Sequence, residues 1–181
     1  AVSIDGDLEI SADKFKYDKN KNILNVNGNG SILKKSQSLE IFFNSAVIDQ
    51  NEFIIQANKD VKIYDKKNNL EIDSESIFYD QNQNYIKSET KTKIKDNYQN
   101  YYLVDKFSYE INNNLVKVEN LIFRDSQNNK VKTSLAYINT NTNRLFGKDI
   151  SVDLNNNILK NNNEPRLKGN SIINDNEFAE I

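Results

Sequence analysis

The residues with the greatest capacity for chemistry are acids and amides at alternating positions. Asp18-Lys-Asn20-Lys-Asn22 and Asp80-Gln-Asn82-Gln-Asn84 place side-chain oxygens as a calcium loop does at its opening. A calcium loop also needs Gly at its sixth place and a bidentate acid at its twelfth, and those places hold Ile23 and Asn29 in one run, Tyr85 and Lys91 in the other. Both runs therefore read as turns, and no metal ligands are assigned. Gly28-Asn29-Gly30 has the look of a phosphate cradle, but no helix pattern follows it and the only Arg side chains are Arg124, Arg144 and Arg166. A bulged strand with relaxed sterics accounts for it. Asp18, Asp49 and Asp80 recur at equal spacing and would line up as carboxylates in a stack of repeats, an arrangement that a glycan hydrolase can use without His. Repetition by itself also produces a ladder of turn residues, so these acids are read as punctuation and no catalytic residue is assigned. His and Cys are both absent, which removes the imidazole base, the commonest zinc ligands, the Ser-His-Asp relay and any disulfide. The expectation is a protein that is not an enzyme and has no cofactor.

The acids belong to a recurring pair, an apolar residue followed by an acid or amide. Tyr17-Asp18, Ile48-Asp49, Tyr79-Asp80, Tyr109-Glu110 and Ile138-Asn139 are 31, 31, 30 and 29 residues apart, the signature of stacked units. Seven and five residues before each pair lie apolar or small residues, such as Ile41 and Phe43 or Tyr102 and Val104; the parity then flips. After the flip, Phe15 and Tyr17, Ile77 and Tyr79, Phe107 and Tyr109 alternate with polar neighbours. Period-two alternation marks a strand with one wet face, and a parity switch at a fixed place marks a β-bulge. Asp13, Asn44, Glu75, Asp105 and Ser134 occupy the flip, where they are expected to satisfy backbone donors. Each pair runs into an Asn-rich turn and a second alternating strand, giving an all-β fold of roughly ten strands in five hairpins.

Composition agrees with one folded unit. The chain has 181 residues, 37% of them hydrophobic, with one Pro and five Gly, so no flexible linker divides it. With 24 basic and 26 acidic residues the formal net charge is -2, and no field of one sign exists to gather nucleic acid. In Lys14-Phe15-Lys16-Tyr17 the aromatics share one face and the lysines the other, which predicts buried rings and solvated lysines. No apolar run approaches the roughly 20 residues of a membrane-spanning helix.

The run Ile10-Ser-Ala-Asp-Lys-Phe-Lys-Tyr-Asp18, followed by Asn22-Ile-Leu-Asn-Val-Asn-Gly-Asn-Gly30, resembles the repeat of the OstA-like family of lipopolysaccharide transport proteins. That repeat runs apolar-x-Ala-Asp, Tyr-Asp, then small-x-Gly-Asn-Val. Weaker copies at 57–61 and in later units extend the resemblance over residues 3–155. Asn163-Glu-Pro-Arg-Leu-Lys-Gly169 is similar to the segment that leads, in the family's outer-membrane assembly members, from the periplasmic domain toward the barrel. The sequence departs from the family at Lys59, where the repeat prefers Gly, and at Gly30, where it prefers Val.

The resemblance implies a β-jellyroll, or taco, of stacked hairpins over residues 1–160, with residues 161–181 as a C-terminal tail leading toward a barrel that these residues do not contain. It implies an apolar groove that takes the lipid A acyl chains of lipopolysaccharide and leaves the sugars in water. The expected lining is Phe15, Tyr17, Leu24, Val26, Phe43, Ile48, Ile55, Ile77, Tyr79, Ile86, Phe107, Tyr109, Val116, Val118, Ile138 and Leu145. The first strand, from about Ile4 to Ile10, is expected to offer Ile4, Leu8 and Ile10 as an edge to the family's periplasmic bridge protein by strand addition. Further implied partners are the outer-membrane barrel and its plug lipoprotein; nucleic acid is not among them. The implied location is the periplasm, as the soluble domain of an outer-membrane protein. Two alternatives stand beside this: the single-domain bridge protein of the same family, and a β-solenoid interaction module without transport. An open groove would favour transport, and a filled interior would favour scaffolding.

Overall fold

The structure, a computed structural model, describes residues 2–4, 6–97, 100–124, 129–142, 144–154, 166–174 and 179–180. Its strands are β1 (Val2–Ile4), β2 (Leu8–Ser11), β3 (Lys14–Asp18), β4 (Ile23–Lys34), β5 (Leu39–Asp49), β6 (Ile54–Asp65), β7 (Leu70–Asp80) and β8 (Tyr85–Ser88), then β9 (Thr92–Lys95), β10 (Tyr101–Val104), β11 (Lys106–Glu110), β12 (Leu115–Arg124), β13 (Lys130–Asn139), β14 (Arg144–Asp153), β15 (Arg166–Asn174) and β16 (Ala179–Glu180). Short 3-10 turns cover Lys35–Gln37 and Ile111–Asn113. All sixteen strands belong to one antiparallel sheet, largely in chain order. The all-β jellyroll expectation holds, while ten strands is too few: β2 with β3, β8 with β9, and β10 with β11 are long strands broken where the parity flips.

The break follows a line across the sheet. Strand register shifts between Asn27 and Gly30, between Phe42 and Ser45, and between Asn58 and Val61. On β4 and β6 the bulge places two successive residues in the left-handed region, Gly28 and Asn29 (φ 76° and 43°), then Lys59 and Asp60 (φ 66° and 53°); Asn120 and Asp149 continue the line on β12 and β14. The residues at the flip bind the side chains of these left-handed residues, more than the backbone donors expected for them. Asn29 Nδ2 donates to Asp13 at 2.9 Å, Asn44 Nδ2 to Asp60 at 2.9 Å, Asn120 Nδ2 to Asp105 at 2.9 Å, and Ser134 Oγ to Asp149 at 2.8 Å. At the Glu75 repeat a buried hydroxyl cluster stands in that place, with Ser74 bonded to Ser88 at 2.9 Å and to Thr92 at 2.9 Å.

One extra residue on β5 and β7, set against two on β4 and β6, keeps the apolar side chains on a single face and bends the sheet toward it. The fold-over can be measured. Asp65 lies beside Leu70, and Tyr109 lies beside Ile86, which lies beside Tyr79. In a flat sheet Leu70 and Tyr79 would put Asp65 and Tyr109 on the order of 30 Å apart at about 3.3 Å per residue. The Tyr109 hydroxyl instead donates to Asp65 Oδ2 at 2.5 Å, so the sheet closes on itself with its two arms face to face. Arm A carries the strand segments between the flip and the turns at 35–38 and 66–69, and reaches Asp96. Arm B carries the segments between the flip and the turns at 19–22, 50–53, 81–84 and 111–114, and reaches Thr140. The core lies between the arms.

The ends depart from expectation. β1 pairs antiparallel with β2, Ile4 opposite Leu8, and Gly6 ahead of β2 has φ 77°, so β1 forms the sheet margin and β2 sits between β1 and β4. At the other end, β15 pairs with β14 from Arg166 to Asn174, so these residues, expected within a C-terminal tail, extend the same sheet. Residues 155–165, including Pro165, lie outside the described residues.

Candidate functional site

The interior between the arms is the feature of this fold with the most apolar surface. Of the expected lining, Leu24, Val26, Phe43, Ile48, Ile55, Ile77, Tyr79, Ile86, Phe107, Tyr109, Val116, Val118, Ile138 and Leu145 are all buried there in one continuous cluster. Cross-strand neighbours carry the cluster from repeat to repeat: Leu24, Ile48, Ile55, Tyr79, Ile86, Tyr109, Val116, Ile138 and Leu145 are register partners in succession. Each such burial contributes roughly 1.5–3 kcal/mol for an Ile, Leu or Val side chain.

Phe15 and Tyr17 differ from the rest. They face the same side as their partners Val26 and Leu24, but β3 pairs only with β4, so no further strand covers them and they are 36% and 48% exposed. The aromatics of Lys14-Phe15-Lys16-Tyr17 are therefore not buried. Leu8 and Ile10, expected on a partner edge, are core residues at 1% and 0% exposure; the side chain of Ile4 lies outside the described residues. Sequence reasoning also left out most of arm A. Ile41, Ile63, Ile72, Ile94 and Tyr102 form the wall opposite the expected lining, and the alternation before each flip already marked their positions.

The interior is filled by these side chains. A cavity bounded by Leu70, Ile94, Tyr102, Val116 and Ile138, with Asn68, Asp96 and Thr140 at its polar end, holds about 10 Å³. That is about the space of one water and far below that of an acyl chain.

Three phenols reach carboxylates or amides in this region. Tyr109 donates to Asp65, and Asn68 Nδ2 donates to the Tyr109 oxygen at 2.8 Å, so arm B is tied to an arm A turn. Tyr79 donates to Gln37 at a looser 3.3 Å, again from arm B to an arm A turn. Tyr102 donates to Asp96 at 2.7 Å within arm A. Burial raises the ionisation of all three phenols well above the ordinary tyrosine range, reinforced at Tyr109 by Asp65, at Tyr102 by Asp96 and at Tyr79 by Asp7. They remain neutral donors throughout the physiological range.

The acids first weighed for chemistry are committed to turns. Asp18 accepts from the amides of Asn20 and Lys21, Asp49 from those of Asn51 and Glu52, Asp80 from that of Gln83, and Asn139 takes the same place before Asn141 and Thr142. Four residues after the acid of the first four pairs the chain is left-handed, at Asn22, Phe53, Asn84 and Asn114. Gly28-Asn29-Gly30 is the bulge of β4. Gly30 makes room for Phe43, since a Cβ there would lie 2.2 Å from Phe43 Cε2.

No family model matches the chain, and no curated protein matches it. Among solved structures it is similar to LptH of Pseudomonas aeruginosa, described as the LptA-homologous periplasmic component of the lipopolysaccharide transport device. The two are 15% identical and superpose with a TM-score of 0.52 over 57% of this chain and 76% of LptH. The likeness is one of fold.

Proposed function

We propose that this chain is a periplasmic component of lipopolysaccharide transport that holds lipid A acyl chains between the two arms of its jellyroll and passes them along the stack of repeats. The observation that carries the reading is the unbroken apolar row from Leu24 to Leu145, one register position wide and contributed by every repeat, in a fold similar to that of LptH. Acyl chains need apolar area without directional chemistry, and each buried methylene contributes roughly 0.8 kcal/mol. Equivalent steps along such a row leave no deep trap. Because the interior is filled, lipid must part the arms to enter.

The finer reading is the N-terminal periplasmic domain of the assembly protein LptD, supported by the similarity at 163–169, with an LptA-like bridge as its nearest alternative. Docking to LptA would use a sheet margin, and the margins at the first end are β1 and the uncovered strand β3. The plug lipoprotein and the barrel enter only under the LptD reading. One observation favours a different class: the filled interior supports an interaction module that binds partners at edges and turns alone.

Photo-crosslinking separates these readings. A benzophenone amino acid at Phe107, which faces inward at 3% exposure, is expected to trap lipopolysaccharide in cells, whereas one at Phe146, 46% exposed on the outer face, is not. Equal or absent adducts at the two positions would leave the interaction module as the better account.

A further inference from the structure

At Tyr79, Tyr109 and Ile138 the first residue of the recurring pair lies at the end of arm B and faces a segment of arm A some forty residues earlier. At Ile138 the facing residue is Asp96, and the two line the same small cavity. At the third and fourth repeats the residue is Tyr, and its hydroxyl crosses to the other arm: Tyr79 to Gln37 and Tyr109 to Asp65. The mouth of the jellyroll is thus tied by a phenol at two successive repeats.

The stitch at Tyr109 can break without unfolding either side. Asp65 caps its own turn, accepting from the Asn68 amide at 3.0 Å and from Asn68 Nδ2 at 2.8 Å, and these bonds survive loss of the phenol. Strand β11 is held by β8 and β12 along its length. Among the described residues the polar tie between the arms at this repeat is the Tyr109–Asp65 bond with its Asn68 neighbour, in front of the apolar cluster that both arms share. Tyr102 is the internal contrast, since its bond to Asp96 lies within arm A and is structural.

We propose that Tyr109, with Tyr79 as its weaker counterpart, is a latch across the mouth of the jellyroll, and that its release from Asp65 and Asn68 opens the interior laterally to an acyl chain. The latch rests on the lipid-binding reading for its ligand but not for its existence. It confers a closed resting state on a groove that would otherwise expose a long apolar row, and it places entry at the middle of the stack.

The test compares Tyr109→Phe, Tyr79→Phe and the double variant with wild type and with Tyr102→Phe, using two readouts. One is amide hydrogen exchange in the turn at 66–69; the other is the rate of uptake of a fluorescent dodecanoyl probe. Losing a charge-assisted bond should raise both by about tenfold in Tyr109→Phe, and by more in the double variant. Tyr102→Phe should lower the melting temperature without faster uptake. If exchange accelerates while no form takes up the probe, the latch stands and the lipid reading falls. Unchanged exchange in Tyr109→Phe, or uptake accelerated as much by Tyr102→Phe, overturns the latch. Asp65→Asn, which keeps the side-chain shape and removes the charge, supplies the same comparison should Tyr109→Phe fail to fold.

Discussion

Replacing Gly30 by Ala tests the physical basis of the bend. Gly30 and Phe43 are register partners at the bulge of β4 and β5, and the Phe43 ring occupies the place where a side chain at 30 would stand. A Cβ would lie 2.2, 2.6 and 2.7 Å from three ring carbons, where ordinary contact begins near 3.4 Å. Phe43 is 3% exposed, so its ring has nowhere to go without displacing the core. Overpacking of this kind costs about 1–3 kcal/mol, and for a chain of this length each kcal/mol lowers the melting temperature by about 2–4 °C. Gly30→Ala should therefore melt about 2–12 °C lower, read by circular dichroism and checked by urea unfolding. The sharper assay is a double-mutant cycle with Phe43→Leu. The smaller side chain frees the space, so Gly30→Ala should cost less than about 0.5 kcal/mol in that background, with a coupling of about 1 kcal/mol or more. Additive losses would refute the close approach of Gly30 to the Phe43 ring.

Other positions carry strain or unsatisfied groups with defined outcomes. Lys59 (φ 66°) and Phe53 (φ 58°) are side chains in left-handed backbone where sister repeats hold Gly28 and Asn22, so Lys59→Gly and Phe53→Asn should each raise stability by about 0.5–1 kcal/mol in urea unfolding. Asp65→Ala leaves the buried Tyr109 hydroxyl and Asn68 amide short of their acceptor and should cost about 2–3 kcal/mol by the same assay. Asp7 accepts from the Ser36 amide at 2.7 Å and the Ser36 hydroxyl at 2.8 Å beside Lys34, which hold its carboxyl below the ordinary value of 3.8. Its contribution to stability is complete above pH 3.8 and is lost as pH falls through the lower folded value, so Asp7→Asn should lower stability near neutrality, converge with wild type at low pH and thereby flatten the acid limb of a stability–pH profile.

The repeat, the parity flip and the Asp-led turns were legible because each is set by neighbours within one strand or one turn. Alternation from Leu39 to Phe43 and again from Ala46 to Ile48 needs only pleat geometry, and Asp49 meets amides two and three residues away. The bend was legible as a bulge, but its chemistry was not, since Asn29 and Asp13 sit sixteen residues apart on different strands. The latch is further out of reach: Tyr109 and Asp65 are 44 residues apart and meet only because the sheet folds over. Phe15 and Tyr17 follow the repeat pattern faithfully and are exposed because a stack must end somewhere. The hairpin at Gly6 hid for the opposite reason: Ile4, Leu8 and Ile10 keep the same parity across the turn, so the alternation reads as one strand.

The most direct test of lipid in the interior is methyl NMR of the Ile-labelled protein titrated with a short-chain lipopolysaccharide. The expected result is nuclear Overhauser contact between acyl methylenes and the methyls of Ile55 and Ile86, both 0% exposed in the closed state, together with wider shifts along arm A at Ile63 and Ile72. Shifts confined to outward residues such as Ile122, with the inner methyls unmoved at saturating lipid, would contradict it.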